Sequence, residues 1–208
     1  MNNWLGIIQD WLYPPICLLC GDPGLARLDL CPACLRSLPY NTIACPRCGL
    51  PLASSVPLLC GRCQRAPPVF DETIAIFRYE EPVCHLIQSL KYRAHYPCAR
   101  LLGTLLAEKL QERQQRPSVI IPVPLHRQRY RERGFNQAAE IAATVSQRLS
   151  IPMDHRCCDR IRPTQAQAGL PAKQRRKNLR DAFATKPSIP YRQVALLDDV
   201  VTTGTTVN

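Results

Sequence analysis

The chain has 208 residues, 46% of them apolar, and 27 Lys plus Arg against 16 Asp plus Glu give a net charge of +11. That length holds one ordinary domain and a small one, and the apolar fraction supplies a packed core, which excludes a disordered chain. No run reaches the ~18–20 apolar residues of a membrane span, and the basic balance favours an anionic partner: phosphates, nucleotides or nucleic acid.

The opening stretch, "MNNWLGIIQDWLYPP", sets Trp4, Ile7, Ile8, Trp11 and Leu12 on one helical face. It predicts a short helix packed on the body. It does not read as a secretory signal: it lacks a basic start, carries Asp10 and has no small-residue cleavage site. The expected compartment is the reducing cytoplasm. That bears directly on the 12 cysteines of the chain.

Eight of them form four C-x-x-C pairs: Cys17/Cys20, Cys31/Cys34, Cys45/Cys48 and Cys60/Cys63. "CLLCGDP" at 17–23 recurs as "CPRCGLP" at 45–51, and "CPACL" at 31–35 recurs as "CGRCQ" at 60–64, offsets of 28 and 29. In such a knuckle both thiolates point to one side of a tight turn, and the glycine supplies the unusual backbone angle. Two knuckles complete a tetrahedral thiolate shell for structural zinc. The repeat argues for sequential pairing, with Cys17, Cys20, Cys31 and Cys34 on one metal and Cys45, Cys48, Cys60 and Cys63 on the other. Cross-bracing would break the repeat unit and ranks second. A disulfide framework suits a secreted chain, and a redox site needs only one pair. Cys84, Cys98, Cys157 and Cys158 lack partner spacing and read as buried apolar thiols.

Composition shifts near residue 66, where "QRAPPVFDE" reads as a linker with Pro67-Pro68 blocking regular structure. This divides the chain into a helix and double zinc ribbon at 1–66 and an α/β domain at 67–208. "TIAIFRY" at 73–79 predicts a strand. "PVCHLIQSLKYR" and "ARLLGTLLAEKLQER" predict helices. "SVIIPVPL" at 118–125 predicts a buried strand stopped by Pro122 and Pro124. "FNQAAEIAATVSQRLS" predicts a helix with Ile141, Val145 and Leu149 inward and Asn136 as its cap, and "RQVALLDDV" at 192–200 predicts another buried strand. Strands apolar throughout, joined by helices, imply a parallel sheet covered on both faces.

Ligands of such sheets bind beyond the carboxyl ends of the strands, where Asp198 and Asp199 fall. Thr202, Thr203, Gly204, Thr205 and Thr206 follow as a turn able to offer N–H groups and hydroxyls to one anion. The carboxylates would repel that anion, so they suit sugar hydroxyls on the same ligand. A ribose 5′-phosphate has both features. A P-loop needs a Lys after the last glycine, and none follows Gly204. Arg127, Arg129, Arg131 and Arg133 follow the strand ending near Leu125, at the same edge. Lys173, Arg175, Arg176, Lys177 and Arg180 lie in a segment punctuated by Gly and Pro that can act as a hood. A diphosphate leaving group needs several such cations, usually with Mg²⁺. A solvated face or a single-stranded DNA groove would account for the same residues.

"VALLDDVVTTGTT" resembles the phosphoribosyl diphosphate signature of type I phosphoribosyltransferases. Together with "PVPLHRQRYRERGFNQA", "TQAQAGLPAKQRRKNLRDAF" and the zinc ribbons ahead of them, the chain is similar to the ComF family, including the GntX-like proteins, over nearly its whole length. The resemblance implies that Asp198 and Asp199 hold the ribose 2′- and 3′-hydroxyls and that Thr202 to Thr206 cradle the 5′-phosphate. It implies phosphoribosyl diphosphate with Mg²⁺ as ligand, Arg131, Arg133, Lys173 and Arg176 among its cations, and a part in competence and the use of external DNA beside DNA-uptake proteins. Thr202 stands where several base-salvage relatives carry a proton-accepting acid, so no base for an acceptor is visible. Type I folds continue beyond this loop, which implies a domain incomplete after Asn208. A non-catalytic module for single-stranded DNA is the second reading.

Overall fold

The structure, a computed structural model, describes residues 14–54, 56, 58–164 and 181–201. The expected helix over the first thirteen residues lies outside them.

The knuckles that open the two cysteine repeats fold alike. In the first, Cys17 N–H donates to the Asp22 carbonyl and Gly21 N–H to that of Cys17; in the second, Cys45 N–H donates to Leu50 and Gly49 N–H to Cys45. Gly21 and Gly49 take the left-handed φ that closes each knuckle, +81° and +69°. Cys31 and Cys60 stand as N-caps of two short helices, α1 (Pro32–Arg36) and α2 (Gly61–Arg65). The pairing is sequential. Cys17, Cys20, Cys31 and Cys34 form one sulfur cluster and Cys45, Cys48, Cys60 and Cys63 the other, each with its Sγ atoms within 4.8 Å of one another. A zinc tetrahedron with bonds of about 2.3 Å has sulfur–sulfur edges of roughly 3.8 Å. The Cys20–Cys31 and Cys48–Cys60 separations, 3.7 and 3.6 Å, match that edge, so both thiolate sets fit zinc.

The ribbons differ in what surrounds them. Cys17, Leu28, Leu30, Cys31 and Leu38 belong to the same hydrophobic core as the helices that follow, whereas the second cluster packs only with Leu52 and Phe70. Asp29 of the first ribbon also accepts from Arg100 Nε at 3.2 Å. The segment at 73–79 does not form the expected strand. Its one bridge, Phe77 to Tyr40, is antiparallel and outside the sheet, with Asn41 N–H donating to Ile76 and Arg78 N–H to Pro39. β-Propensity does not choose a pairing partner, and what this segment meets is Tyr40 of the ribbons, through a single bridge, and not the sheet. The rings of Tyr40 and Phe77 sit 5.2 Å apart, and Asn41 Nδ2 donates to both Gly49 and Ala75, fastening the second ribbon to this segment.

Three longer helices make the body: α3 (Val83–Arg93), α4 (Tyr96–Gln111) and α6 (Gln137–Leu149), with a short α5 (Arg127–Arg133) between the last two. α4 packs between α3 and α6 and is buried almost all round, including Cys98, Leu101, Leu102, Thr104 and Leu105. Its crossing with α6 is close enough that a Cβ on Gly103 would lie 2.7 Å from Thr144 Cβ and 2.8 Å from the Ile141 carbonyl.

β1 (Val119–Pro122) pairs in parallel with β4 (Val194–Leu197), from Val119 against Val194 to Pro122 against Leu197. On the other edge of β1, Ile120 N–H donates to Pro152 and its carbonyl accepts from Asp154. The period of two separates the faces. Ile120 and Leu197 point into the main core, while Val119 and Ile121 pack on Cys157, Cys158 and Tyr191. β1 is thus covered on both faces, as expected. β4 is not: Val194 and Leu196 are 40% and 49% exposed, because the residues that cover β1 from behind stop short of it. Two further strands, β2 (Cys158–Arg160) and β3 (Phe183–Thr185), pair antiparallel; they are too short and too polar to show in the sequence pattern. Of the unassigned thiols, Cys98 and Cys157 are buried and Cys84 and Cys158 half-buried. Among the described residues no helix is long and apolar enough to cross a membrane.

Purified protein should contain about two zinc per chain by metal analysis, one for each sulfur cluster. Because only the first ribbon shares the main core, Cys31→Ser should lower the principal melting transition, whereas Cys48→Ser should loosen the second ribbon and leave that transition near the parent's. A second test is Gly103→Ala. Alanine favours a helix by about 1 kcal/mol over glycine, but the clash with α6 should win and lower stability by about 1–3 kcal/mol in denaturant unfolding.

Candidate functional site

Parallel pairing brings the carboxyl ends of β1 and β4 to one edge, where Val123 N–H donates to the Leu197 carbonyl. Each strand delivers a different chemistry there. From β1 the chain runs into α5, whose cap His126 accepts from Gln128 N and which Gly134 ends at φ +83°. Asn136 then caps α6 by accepting from Ala138 N–H at 3.0 Å, while its Nδ2 donates to the Val123 carbonyl at 2.9 Å. One side chain thereby starts the helix and ties it to the end of β1. From β4 the chain runs into Asp198 and Asp199.

Both acids are half-buried as residues. The Asp199 carboxylate is 5% exposed and forms an ion pair with Lys91, near the end of α3. Its other oxygen accepts from Gln137 Nε2 at 3.2 Å, and the oxygen of Gln137 accepts in turn from Arg133 Nη1. Asp198 Oδ1 accepts from Asp199 N–H at 2.9 Å. Burial, and then the negative charge of Asp199 beside it, push Asp198 up to about 8; the backbone bond and Lys91 pull weakly the other way. This carboxyl holds its proton far above the usual carboxylate range.

Beside the acids opens a cleft of about 480 Å³, lined by Lys91, Tyr92 and Arg93 from α3 and by Arg129, Glu132, Arg133 and Phe135 from α5 and its exit. Four cations face one carboxylate, Glu132, which is itself 3.5 Å from Arg129. Arg160, in β2, is a further cation near the acids. Burial holds its pKa below the usual arginine value, with Asp198 opposing that and Arg129 adding to it. Its guanidinium lies 5.3 Å from the centre of the Phe183 ring.

Of the residues expected from sequence, the structure therefore brings together Asp198, Asp199 and Arg133. Arg131 sits on α5 but is exposed and does not line the cleft, since residues 129 and 133 share one helical face and 131 another. Thr202, Thr203, Gly204, Thr205, Thr206, Lys173 and Arg176 lie outside the described residues. Lys91, Arg93 and Gln137 escaped sequence reasoning. Lys91 and Arg93 read as ordinary basic residues in the last turn of a helix, and Gln137 as a first-turn polar residue. The one available signal was an interior position: Gln137 is 6% exposed, one of three buried polar side chains among the described residues.

The fold and the sulfur clusters define a class: a double zinc ribbon joined to an α/β body with a parallel strand pair. The double zinc ribbon domain family matches residues 8–64. Competence protein F of Haemophilus influenzae is 37% identical over 204 residues, covering 92% of this chain and 87% of that protein. DNA utilization protein YhgH of Escherichia coli K12 is 36% identical over 200 residues, covering 93% and 88%, and competence protein ComFC of Bacillus subtilis is 24% identical over 218 residues, covering 95% and 87%. The chain belongs to the ComF family.

The acid pair predicts a pH signature. A carboxyl raised in the folded state contributes stability that is complete below its unfolded value, near 3.8, and is lost as pH rises through about 8. Asp198→Asn removes that loss. The variant should melt above the parent at pH 8–9, by about 2–4 °C for each kcal/mol regained, with the gap closing toward pH 4–5 in a thermal-melt series.

Proposed function

We propose that this chain serves DNA uptake or the use of external DNA, as the names of its relatives imply for them, and that residues 67–208 form a type I phosphoribosyltransferase-like domain that binds a phosphoribosyl ligand. One observation carries the reading: two enclosed acids at the carboxyl end of a parallel strand stand beside a cleft lined by four cations. Carboxylates are poor hosts for phosphate and good hosts for sugar hydroxyls. Cations are the reverse. A phosphorylated ribose satisfies both, with its hydroxyls on Asp198 and Asp199 and its diphosphate toward Lys91, Arg93 and Arg133. By the family resemblance, Thr202 to Thr206 would take the 5′-phosphate, with Lys173 and Arg176 among the cations for the ligand.

Mg²⁺ would arrive with the diphosphate. It needs several oxygen ligands and keeps waters. Asp199 already has both oxygens engaged, by Lys91 and Gln137, so a cage made by the protein alone has little left to offer. The bound ion would offset charge between the phosphates. The proposed role is binding, since Thr202 provides no base for an acceptor.

A second reading draws on the aromatics. Tyr92, Tyr96 and Tyr130 are 74%, 47% and 50% exposed; Tyr92 lines the cleft, and Tyr96 packs 5.2 Å from the cleft residue Phe135. Exposed rings among arginines are what a single strand uses, stacking bases while phosphates meet the cations.

Calorimetry separates the two. Asp198→Asn with Asp199→Asn should weaken phosphoribosyl diphosphate with Mg²⁺ by about 1.5–3 kcal/mol for each charge-assisted hydrogen bond lost at Asp199, the one acid of the pair that is ionised at neutral pH, and leave the affinity for a short single strand unchanged or higher. Tyr130→Ala should cost strand binding about 1–3 kcal/mol if a base stacks there. A double variant that binds the phosphoribosyl ligand as the parent does removes the ribose assignment and leaves the strand-binding module.

A further inference from the structure

The cationic cleft and the acid pair are wired to each other. Lys91 pairs with one oxygen of Asp199, and Arg133 reaches the other through Gln137. The orientation of the Gln137 amide follows from the network, since reversing it would set its NH₂ against a guanidinium and its oxygen against a carboxylate. With Gln137 6% exposed and the Asp199 side chain 5% exposed, bulk water is a weak competitor for these contacts. A carboxylate so enclosed cannot lose its counter-charge without taking another partner. Lys91 and Arg133 face the cleft as well, so whatever anion enters it acts on Asp199.

We infer that Lys91 and Gln137 are positioning residues that couple the two halves of a phosphoribosyl ligand: an anion in the cleft draws Lys91 from Asp199, and the freed carboxylate takes ribose hydroxyls in its place. This rests on the phosphoribosyl reading above. Before the anion arrives, the ammonium holds the Asp199 oxygen, and a neutral hydroxyl is the weaker partner for it. A sugar phosphate alone therefore binds poorly. Once a diphosphate shares the ammonium, the hydroxyls meet a carboxylate in need of donors. By linkage the sugar must tighten the diphosphate by the same factor. Gln137 holds Arg133 in the same circuit, so the anion pulls on both oxygens of Asp199.

The test is calorimetry with inorganic diphosphate and ribose 5-phosphate, each titrated alone and in the presence of the other at saturation, on the parent, Lys91→Met and Gln137→Leu. In the parent each ligand should tighten the other by an equal factor, on the order of 5–150-fold. In Lys91→Met that factor should fall to about one, and in Gln137→Leu it should fall while diphosphate still binds; the latter keeps Lys91 and guards against a folding failure of the former. A purely structural role would change each affinity and leave their ratio alone. Binding of both ligands to the parent with no mutual effect, or a factor that survives in both variants, overturns the coupling and leaves the phosphoribosyl reading standing. Diphosphate binding with no ribose 5-phosphate binding even at saturating diphosphate overturns both.

Discussion

The site hangs on the parallel pairing of two four-residue strands far apart in sequence. β1 and β4 run side by side from Val119 against Val194 to Pro122 against Leu197, and one more bond, Val123 N–H to Leu197, continues the register past their ends. Antiparallel pairing would put the Arg-bearing helix at one end and the acids at the other. Parallel pairing requires a long crossover, and here the crossover includes α6, which covers one face of the pair. Asn136 joins the end of β1 to the start of that helix, and the first residue of the helix, Gln137, then contacts the acid that ends β4.

The ribbons solve a different problem. A cysteine-rich stretch of this size buries too little apolar surface to hold its shape unaided, and metal binding supplies the missing folding free energy. The first ribbon is also part of the main core, through Leu28, Leu30 and Leu38, so its metal steadies the body as well. The second lies outside that core and is fastened by Asn41 and by the tilted ring pair of Tyr40 and Phe77. The two sites have like chemistry and unlike mechanical roles.

Charge in the cleft is neither evenly spread nor simply positive. Two adjacent carboxyls at a partly buried strand end cannot both ionise cheaply, so Asp198 keeps its proton while Asp199 takes a lysine. That arrangement costs stability at neutral and higher pH. Perturbed acids cluster at functional sites, and the cationic cleft next to the pair is why the proposed phosphoribosyl site is placed here.

The sequence by itself determined what depends on neighbours in the chain. Four C-x-x-C pairs at offsets of 28 and 29 specified two metal sites and their sequential pairing, because each shell closes within one repeat. The caps did likewise: Asn136 before α6, and the knuckle glycines Gly21 and Gly49. The placement of Asp198 and Asp199 at a strand end was legible for the same reason. Tertiary structure alone decided partners. Residues 73–79 have the composition of a strand, but which neighbour they would meet was not written in them, and instead of joining the sheet they make one bridge, to Tyr40 of the ribbons. Lys91 lies on α3, Gln137 on α6 and Asp199 just past β4, the last two 62 positions apart, and nothing in the periodicity of α3 or α6 marks Lys91 or Gln137 as a partner of an acid. Helical pattern tells which residues turn inward. What they touch there depends on how the crossover folds back, and that is settled only when the parallel strands are in register.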